Sequence, residues 1–327
     1  MMMSYTTYES CWKIAELGCS SGPNALMVVS DIVNIIGNTS LRLNRGSPEI
    51  QIYLNDLFGN DFNTIFKLLP AFYQSILQEK GDKVGACFIH ATPGNFYGRL
   101  FPNNYVQIFH SSYSLHWLSQ APKVSTKIAK PLNKGDIHIT STSPPSVYQA
   151  YLQQFERDFK LFLKSRSEEL TPGGIMVLTL IGREKPHEIK TPCVAISMVL
   201  NDMVREGLIE ETKLDFFDLP VYFPTAEEVR QVIDVEGSFK LEILNIIKMG
   251  WDADLQEDFD DSFLDSATRG EFIAKSIRAV FEPLLSAEFG EDIMDELFSR
   301  FAKLVAEFTE LETLKYTNLI VSMTKNP

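Results

Sequence analysis

A chain of 327 residues with 45% hydrophobic content can bury one large core with an appendage, and its 43 acidic against 30 basic residues leave a formal net charge of −13. That balance opposes phosphate backbones and anionic membranes and argues against nucleic acid or a membrane as partner. Cys11, Cys19, Cys87 and Cys193 form no CxxC pair and lie near no histidine cluster, which argues against zinc and for buried thiols in a reducing compartment. The start, MMMSYTTYESCWK, has no apolar signal core, and no run of about eighteen apolar residues occurs anywhere, so a soluble cytoplasmic protein is expected.

Short apolar runs alternate with longer amphipathic stretches, the pattern of a parallel sheet flanked by helices. In chain order the spacing predicts a strand over Lys13–Leu17, a helix over Ala25–Ile36, and strands over Ile50–Leu54, Gly85–Ala91, Val106–Phe109 and Ile137–Thr140. A helix over Val147–Glu169, a strand over Ile175–Ile181 and a helix over Ala195–Glu206 follow. From about residue 207 to 267 the rhythm loosens into an acidic helix near Thr225–Val235 and an acidic loop over Asp252–Asp265. This region reads as an inserted helical cap, together with parts of a helical stretch over residues 269–309 that Pro283 is expected to break. Strands over Leu241–Ile247 and Asn318–Met323 complete the set. The expectation is a single domain, 1–327, of the α/β class: a doubly wound, Rossmann-like sheet with a helical cap over the carboxyl ends of its strands.

The first strand runs through Glu16 and Leu17 into Gly18-Cys19-Ser20-Ser21-Gly22-Pro23-Asn24. Glycine there lets a ligand approach the backbone, yet the segment has neither the GK[ST] of a phosphate loop nor the GxGxxG of a dinucleotide site. An acidic residue before the turn suits a cationic, hydroxyl-rich ligand such as S-adenosylmethionine. The second strand ends in Asn55-Asp56-Leu57, which puts a carboxylate where it can accept both hydroxyls of a ribose. The alternative is that Gly18 and Gly22 only shape a turn and that Asp56 caps the next helix.

Further motifs accumulate in order: GCSSGPN, LNDLFGNDFN, PGNFYGRLFP, HSSYSLHWLSQAP, NKG, GLIEE, LPVYFP, EGSF and RAVFEPLL. With these the chain resembles the plant SABATH methyltransferases, which include salicylate, benzoate and jasmonate carboxyl methyltransferases and caffeine-pathway N-methyltransferases. The resemblance runs from about Ile14 to Lys325 and implies S-adenosylmethionine as cofactor, a small acid or a xanthine as substrate, and a homodimer. It places Glu16, Gly18, Asn24, Asp56 and Leu57 on cofactor positions, with Asn95 and Phe96 beside the adenosine. Glu16 stands for the family's aspartate and Asn95 for its serine, so weaker cofactor binding is expected. The implied substrate pocket comprises Tyr113, His116, Trp117, Ile181, Tyr222, Ile277, Val280 and Tyr316; for the aromatic stripe, core packing is the alternative. Trp117 is the expected carboxylate holder, because its indole N–H is a pure donor.

No catalytic side chain is expected, since an ionised carboxylate is already a nucleophile and needs only orientation and dehydration. His110 reads as structural and His116 as pocket shape. Asn133, Asp215, Phe217 through its carbonyl, and Asp218 match a divalent-ion site of some members, whose oxygen ligands suit magnesium; solvated loop acids are the alternative. The family's opening segment, near GGxGxxSYAxNSxxQ and followed by a helix, has only Ser4-Tyr5 as an echo, and its carboxylate-gripping glutamine has no counterpart. An impaired, ligand-binding homologue is therefore a rival to an active enzyme. His116 leans toward a benzoate-like acid, whereas LPVYFPTAEEV leans toward the caffeine branch.

Overall fold

The computed structural model describes residues 11–80, 85–122, 131–185, 191–253, 255 and 265–327. The amino-terminal expectations, Ser4-Tyr5 included, and most of the acidic loop at 252–265 lie outside the described residues.

The chain runs β1 (Cys11–Leu17), α1 (Asn24–Arg42), β2 (Glu49–Asp56), α2 (Phe62–Lys80), β3 (Cys87–Pro93), β4 (Val106–Ser112), α3 (Pro145–Glu169) and β5 (Leu170–Gly182). It continues through α4 (Pro192–Arg205), α5 (Glu211–Asp215), α6 (Ala226–Glu236), β6 (Phe239–Gly250), α7 (Ser266–Phe289), α8 (Met294–Leu311) and β7 (Lys315–Lys325). The seven-stranded sheet has the order β3-β2-β1-β4-β5-β7-β6. Strands β1 to β5 pair in parallel, while β7 runs antiparallel to both of its neighbours. The order reverses between β1 and β4, and a crevice at such a switch point is where open α/β sheets bind ligands.

Apolar runs in the central strands reflect cover on both faces. On one side Ile14, Ile50 and Ile52 are buried with Leu26, Val29 and Val33 of α1. On the other, Phe109, Met176, Leu178 and Val321 pack on Tyr151, Phe155, Phe159 and Phe162 of α3. A further core gathers α4, α7 and α8 around Ile196, Leu200, Ile277, Phe281 and Phe301, with Trp117 and Tyr316 packed at its border.

Three expectations need correction, and one helix was not among them. Ile137–Thr140 is no strand: its buried apolar residues are held in a loop whose backbone is satisfied one group at a time. Ile137 N–H donates to Ser197 Oγ at 3.1 Å, Leu219 N–H to the Ile137 carbonyl at 2.8 Å, and Asn133 Nδ2 to the His138 carbonyl at 2.8 Å. The expected cap over 207–267 contains β6, which pairs with β7 along its length, and α6, which packs on α3 and β6. That part belongs to the sheet layer, because the extended run of β6 finds its backbone partners there. Pro283 does not end α7: the proline forfeits one helical hydrogen bond, but Leu285 and Phe289 beyond it are buried, and that burial offsets the loss. The helix stops instead at Gly290, whose φ is +104°. Finally, α2 was not anticipated, since Pro70 interrupts its pattern.

Candidate active site

The turn after β1 is fixed to the end of β2. Gly18 N–H and Cys19 N–H both donate to the Asn55 carbonyl, at 2.8 and 2.9 Å. Gly18 has φ +80°, and a Cβ there would lie 2.0 Å from Ser114 Oγ, so no other residue fits. Asp56 Oδ2 accepts from Ser20 N–H and Oδ1 from Leu57 N–H, each at 2.7 Å, and Asn60 Nδ2 donates to the Ser20 carbonyl at 2.9 Å. Asp56 is therefore part of the turn and does not cap α2. That role falls to Asp61, which accepts from Thr64 N–H at 3.2 Å and Thr64 Oγ at 2.6 Å.

These groups fit a nucleoside-bearing cofactor. Each Asp56 oxygen keeps a lone pair for a hydroxyl. Nothing lies within 4 Å of where a Gly22 Cβ would sit, Asn24, Leu57 and Asn95 are exposed at the same rim, and Phe96 is half-buried beside Gly18. Burial first, then the charges of Asp56 and Glu16, push the Cys19 thiol up to about 12, which leaves it without nucleophilic character.

Glu16 differs from its expected role in one respect: its buried carboxylate pairs with His110 Nδ1 across β1 and β4. Burial works against the His110 charge, but the hydrogen bond and charge of Glu16 prevail and raise its pKa above the ordinary imidazole value. The negative charge expected at the cofactor turn is thus partly spent inside the protein.

The loop carrying Asn95 and Phe96 hangs on a buried pair. Arg166 Nε donates to Glu169 Oε2 at 2.8 Å, its Nη1 to the Phe96 carbonyl at 2.7 Å and its Nη2 to the Gly98 carbonyl at 2.8 Å, while Glu169 accepts from the backbone of Leu100 and Phe101. Asn95 Oδ1 accepts from Tyr97 N–H at 2.9 Å.

Beyond β4 the chain passes from this rim to a cavity of about 410 Å³. Ser114 Oγ donates to the Gly18 carbonyl at 3.2 Å, while Tyr113, His116 and Trp117 line the cavity with Ile181, Ile277, Val280 and Tyr316. Tyr222 does not. It is buried on the sheet side, where Arg183 Nη2 donates to its hydroxyl at 2.8 Å, and Phe223 lines the cavity in its place. The segment is extended and held by Leu118 N–H to the Pro220 carbonyl and Tyr222 N–H to the His116 carbonyl, both 2.8 Å, so alternate residues face opposite ways. Val221, Met249, Trp251 and Asn318 also line the cavity and were missed, because no local pattern marks them. Burial holds the His116 imidazole neutral, its pKa pushed down to about 3.

The expected magnesium ligands do not fit an ion. Asn133 Oδ1 accepts from Ser143 Oγ at 2.6 Å, and Asp215 is engaged by Gly135 N–H at 3.1 Å and the Lys134 ammonium at 3.5 Å. The exposed Lys134 ammonium, shared with Glu211 at 2.7 Å, thus stands beside the acid an ion would need. Burial raises Asp218 to about 6, and among the described residues no group of three His, Cys, Asp or Glu side chains could hold a metal.

A doubly wound sheet with a glycine turn and a strand-end aspartate at its switch point, opening beside an aromatic cavity, suits a methyltransferase dependent on S-adenosylmethionine. Over residues 1–326 the sequence matches the SAM-dependent carboxyl methyltransferase family. It is 46% identical to a probable jasmonic acid carboxyl methyltransferase of Theobroma cacao, over 95% of this chain and 85% of that protein. It is 44% identical to a probable caffeine synthase of Coffea canephora, over 98% and 86%. Its fold matches a loganic acid methyltransferase solved with SAH at a TM-score of 0.81, with 31% identity over 98% of this chain and 86% of that one. The chain belongs to the SAM-dependent carboxyl methyltransferase family, the SABATH group that its motifs resemble.

Proposed function

We propose that this enzyme methylates the carboxylate of a small organic acid to give its methyl ester. One observation carries the reading: a single short segment touches the cofactor turn through Ser114 and walls the cavity through Tyr113, His116 and Trp117. An acid seated there is delivered to the rim at Gly18. S-adenosylmethionine, when bound, supplies the electrophilic methyl group. The protein's own part is binding and orientation: Trp117 offers an N–H to one carboxylate oxygen, and the buried Ile277 and Phe281 keep water from its apolar wall. No general base is needed, and His116, held neutral with a pKa near 3, is too weak a base to serve as one.

N-methylation of a xanthine ring is the second reading. It is favoured by the absence of Lys, Arg, Asp and Glu among the described residues lining the cavity. The test is transfer of labelled methyl to jasmonate, benzoate and 7-methylxanthine, followed by alkaline hydrolysis. The expected product is an ester, whose label is released as methanol; a base-stable product from the xanthine alone overturns the carboxylate reading.

The proposal includes a cytoplasmic homodimer. Support for the compartment comes from the free thiols of Cys11, Cys19, Cys87 and Cys193, and for the dimer from the exposed Ile243, Ile246 and Ile247 on edge strand β6. Cell fractionation and sedimentation velocity check the two points.

A further inference from the structure

Two walls of the acceptor cavity belong to parts of the fold that pack mainly elsewhere. Met249, Gly250 and Trp251 stand at or just past the end of β6, which pairs along its length with β7. Ile277, Val280 and Phe281 belong to α7, whose packing is chiefly on α8. The spacing between these walls sets how an acceptor lies against the cofactor. Arg269, in the first turn of α7, donates through Nη1 to the carboxylate of Asp252, the residue after Trp251, and so ties one wall to the other.

The tie is built into the surrounding chain. Asp252 is 7% exposed, and a carboxylate at that depth is strongly destabilising without a partner. A Cβ on Gly250 would lie 2.7 Å from Asp252 Oδ1, so the glycine admits the carboxylate; its φ is not positive, and backbone freedom does not account for it. Trp251 donates its backbone N–H to the Leu314 carbonyl at 3.0 Å and stacks on Tyr316 with ring centroids 5.3 Å apart. A displacement of Asp252 is thereby passed to two residues that line the cavity. We propose that Arg269 is a positioning residue for the methyl acceptor: through Asp252 it draws the end of β6 to α7 and fixes the wall formed by Trp251 and Tyr316. The inference rests on the cavity being the acceptor site, and it holds for an acid and for a xanthine alike.

The test measures kcat and KM with whichever of jasmonate, benzoate and 7-methylxanthine the native enzyme methylates, and calorimetric affinity for S-adenosylhomocysteine. Arg269→Gln and Asp252→Asn are each expected to raise the acceptor KM roughly tenfold to a hundredfold. The double variant should go no further than the larger single loss, because all three remove one interaction. Cofactor affinity should stay within about twofold, since β4, β5 and β7 lie between β6 and the Gly18 turn after β1. Gly250→Ala, which displaces the carboxylate but keeps both charges, raises KM as well, and Arg269→Lys recovers most of the loss. A pair that serves stability alone would lower Tm without moving KM, or weaken cofactor and acceptor alike; either result, or additive losses in the double variant, overturns the assignment. Should Arg269→Gln fail to fold, KM in Gly250→Ala decides. If none of the three acceptors is methylated, hydrogen exchange at the Trp251 amide decides. Faster exchange in Arg269→Gln, with the amides between β5 and β7 unchanged, sustains the assignment, and an unchanged rate at Trp251 refutes it. Whether the product is an ester or an N-methyl xanthine bears on the reaction alone and leaves this test as it stands.

Discussion

The rim at Gly18 and the aromatic cavity meet at Ser114, yet they are built on opposite principles. At the rim, Gly18, Cys19, Ser20, Asn55, Asp56 and Asn60 satisfy one another through short hydrogen bonds of backbone and side chain, so the shape exists before any ligand arrives. The cavity is lined instead by residues without a charge, Trp117, Ile277, Phe281 and Trp251 among them. A preorganised rim of this kind holds one ligand in one pose, whereas a cavity walled by apolar and aromatic side chains selects chiefly by shape.

The sharpest way to break this comparison is Asp56→Ala. Two charge-assisted bonds to ribose hydroxyls contribute about 1.5–3 kcal/mol each. Affinity for S-adenosylhomocysteine should therefore fall at least about a hundredfold by calorimetry. Asp56→Asn, which keeps an oxygen for Ser20 N–H, should lose less; unchanged affinity in Asp56→Ala would remove Asp56 from the site.

Next comes Arg166→Ala, which tests how far the rim depends on support from behind. It leaves the buried Glu169 with only Arg99, whose Nε donates to Oε1 at 3.3 Å, at a cost of up to about 3–5 kcal/mol in urea unfolding. It should also loosen Phe96 and weaken cofactor binding. A loss below about 1 kcal/mol would mean that the pair does not hold the loop.

Trp117→Phe separates the two regions directly. Losing one N–H to a carboxylate costs about 1.5–3 kcal/mol, or roughly one to two decades in kcat/KM for an acid. Cofactor affinity should stay within about twofold, because Trp117 lies on the cavity side. Equal losses in both would show that the regions are not separable.

The smallest effect is pH-dependent. Glu16 raises the His110 pKa in the folded state despite burial, so the pair's stabilisation is complete below the unfolded imidazole's value of about 6.5. It is lost as pH rises through the higher folded value. His110→Gln should therefore lower stability by about 1.5 kcal/mol at pH 6 and by less at pH 9, as read by thermal unfolding. A difference independent of pH would mean that the imidazole is neutral throughout.

Strands β1, β2 and β5, helix α3 and the Gly18–Asp56 pair were legible from residues alone, because each depends on spacing within a few neighbours. The capping box of α6 shows the same locality: Thr225 N–H donates to Glu228 Oε2 at 2.8 Å and Glu228 N–H to Thr225 Oγ at 3.2 Å. Helix α2 escaped notice because Pro70 masks its period. Ile137–Thr140 was misread because an apolar run shows burial without showing its backbone partners.

What the sequence by itself determined, then, was the α/β fold, the glycine turn after β1 and the family. The periodicity of strands and the conformational freedom of Gly18 are local properties, and the ordered motifs carry the likeness. Only the tertiary structure decided that Phe223 and not Tyr222 lines the cavity, that Glu16 pairs with His110, and that Trp251 and Asn318 line the same cavity as His116. Those outcomes depend on strand register and on contacts between segments far apart in the chain. A shift of one position there turns a side chain from the cavity to the core.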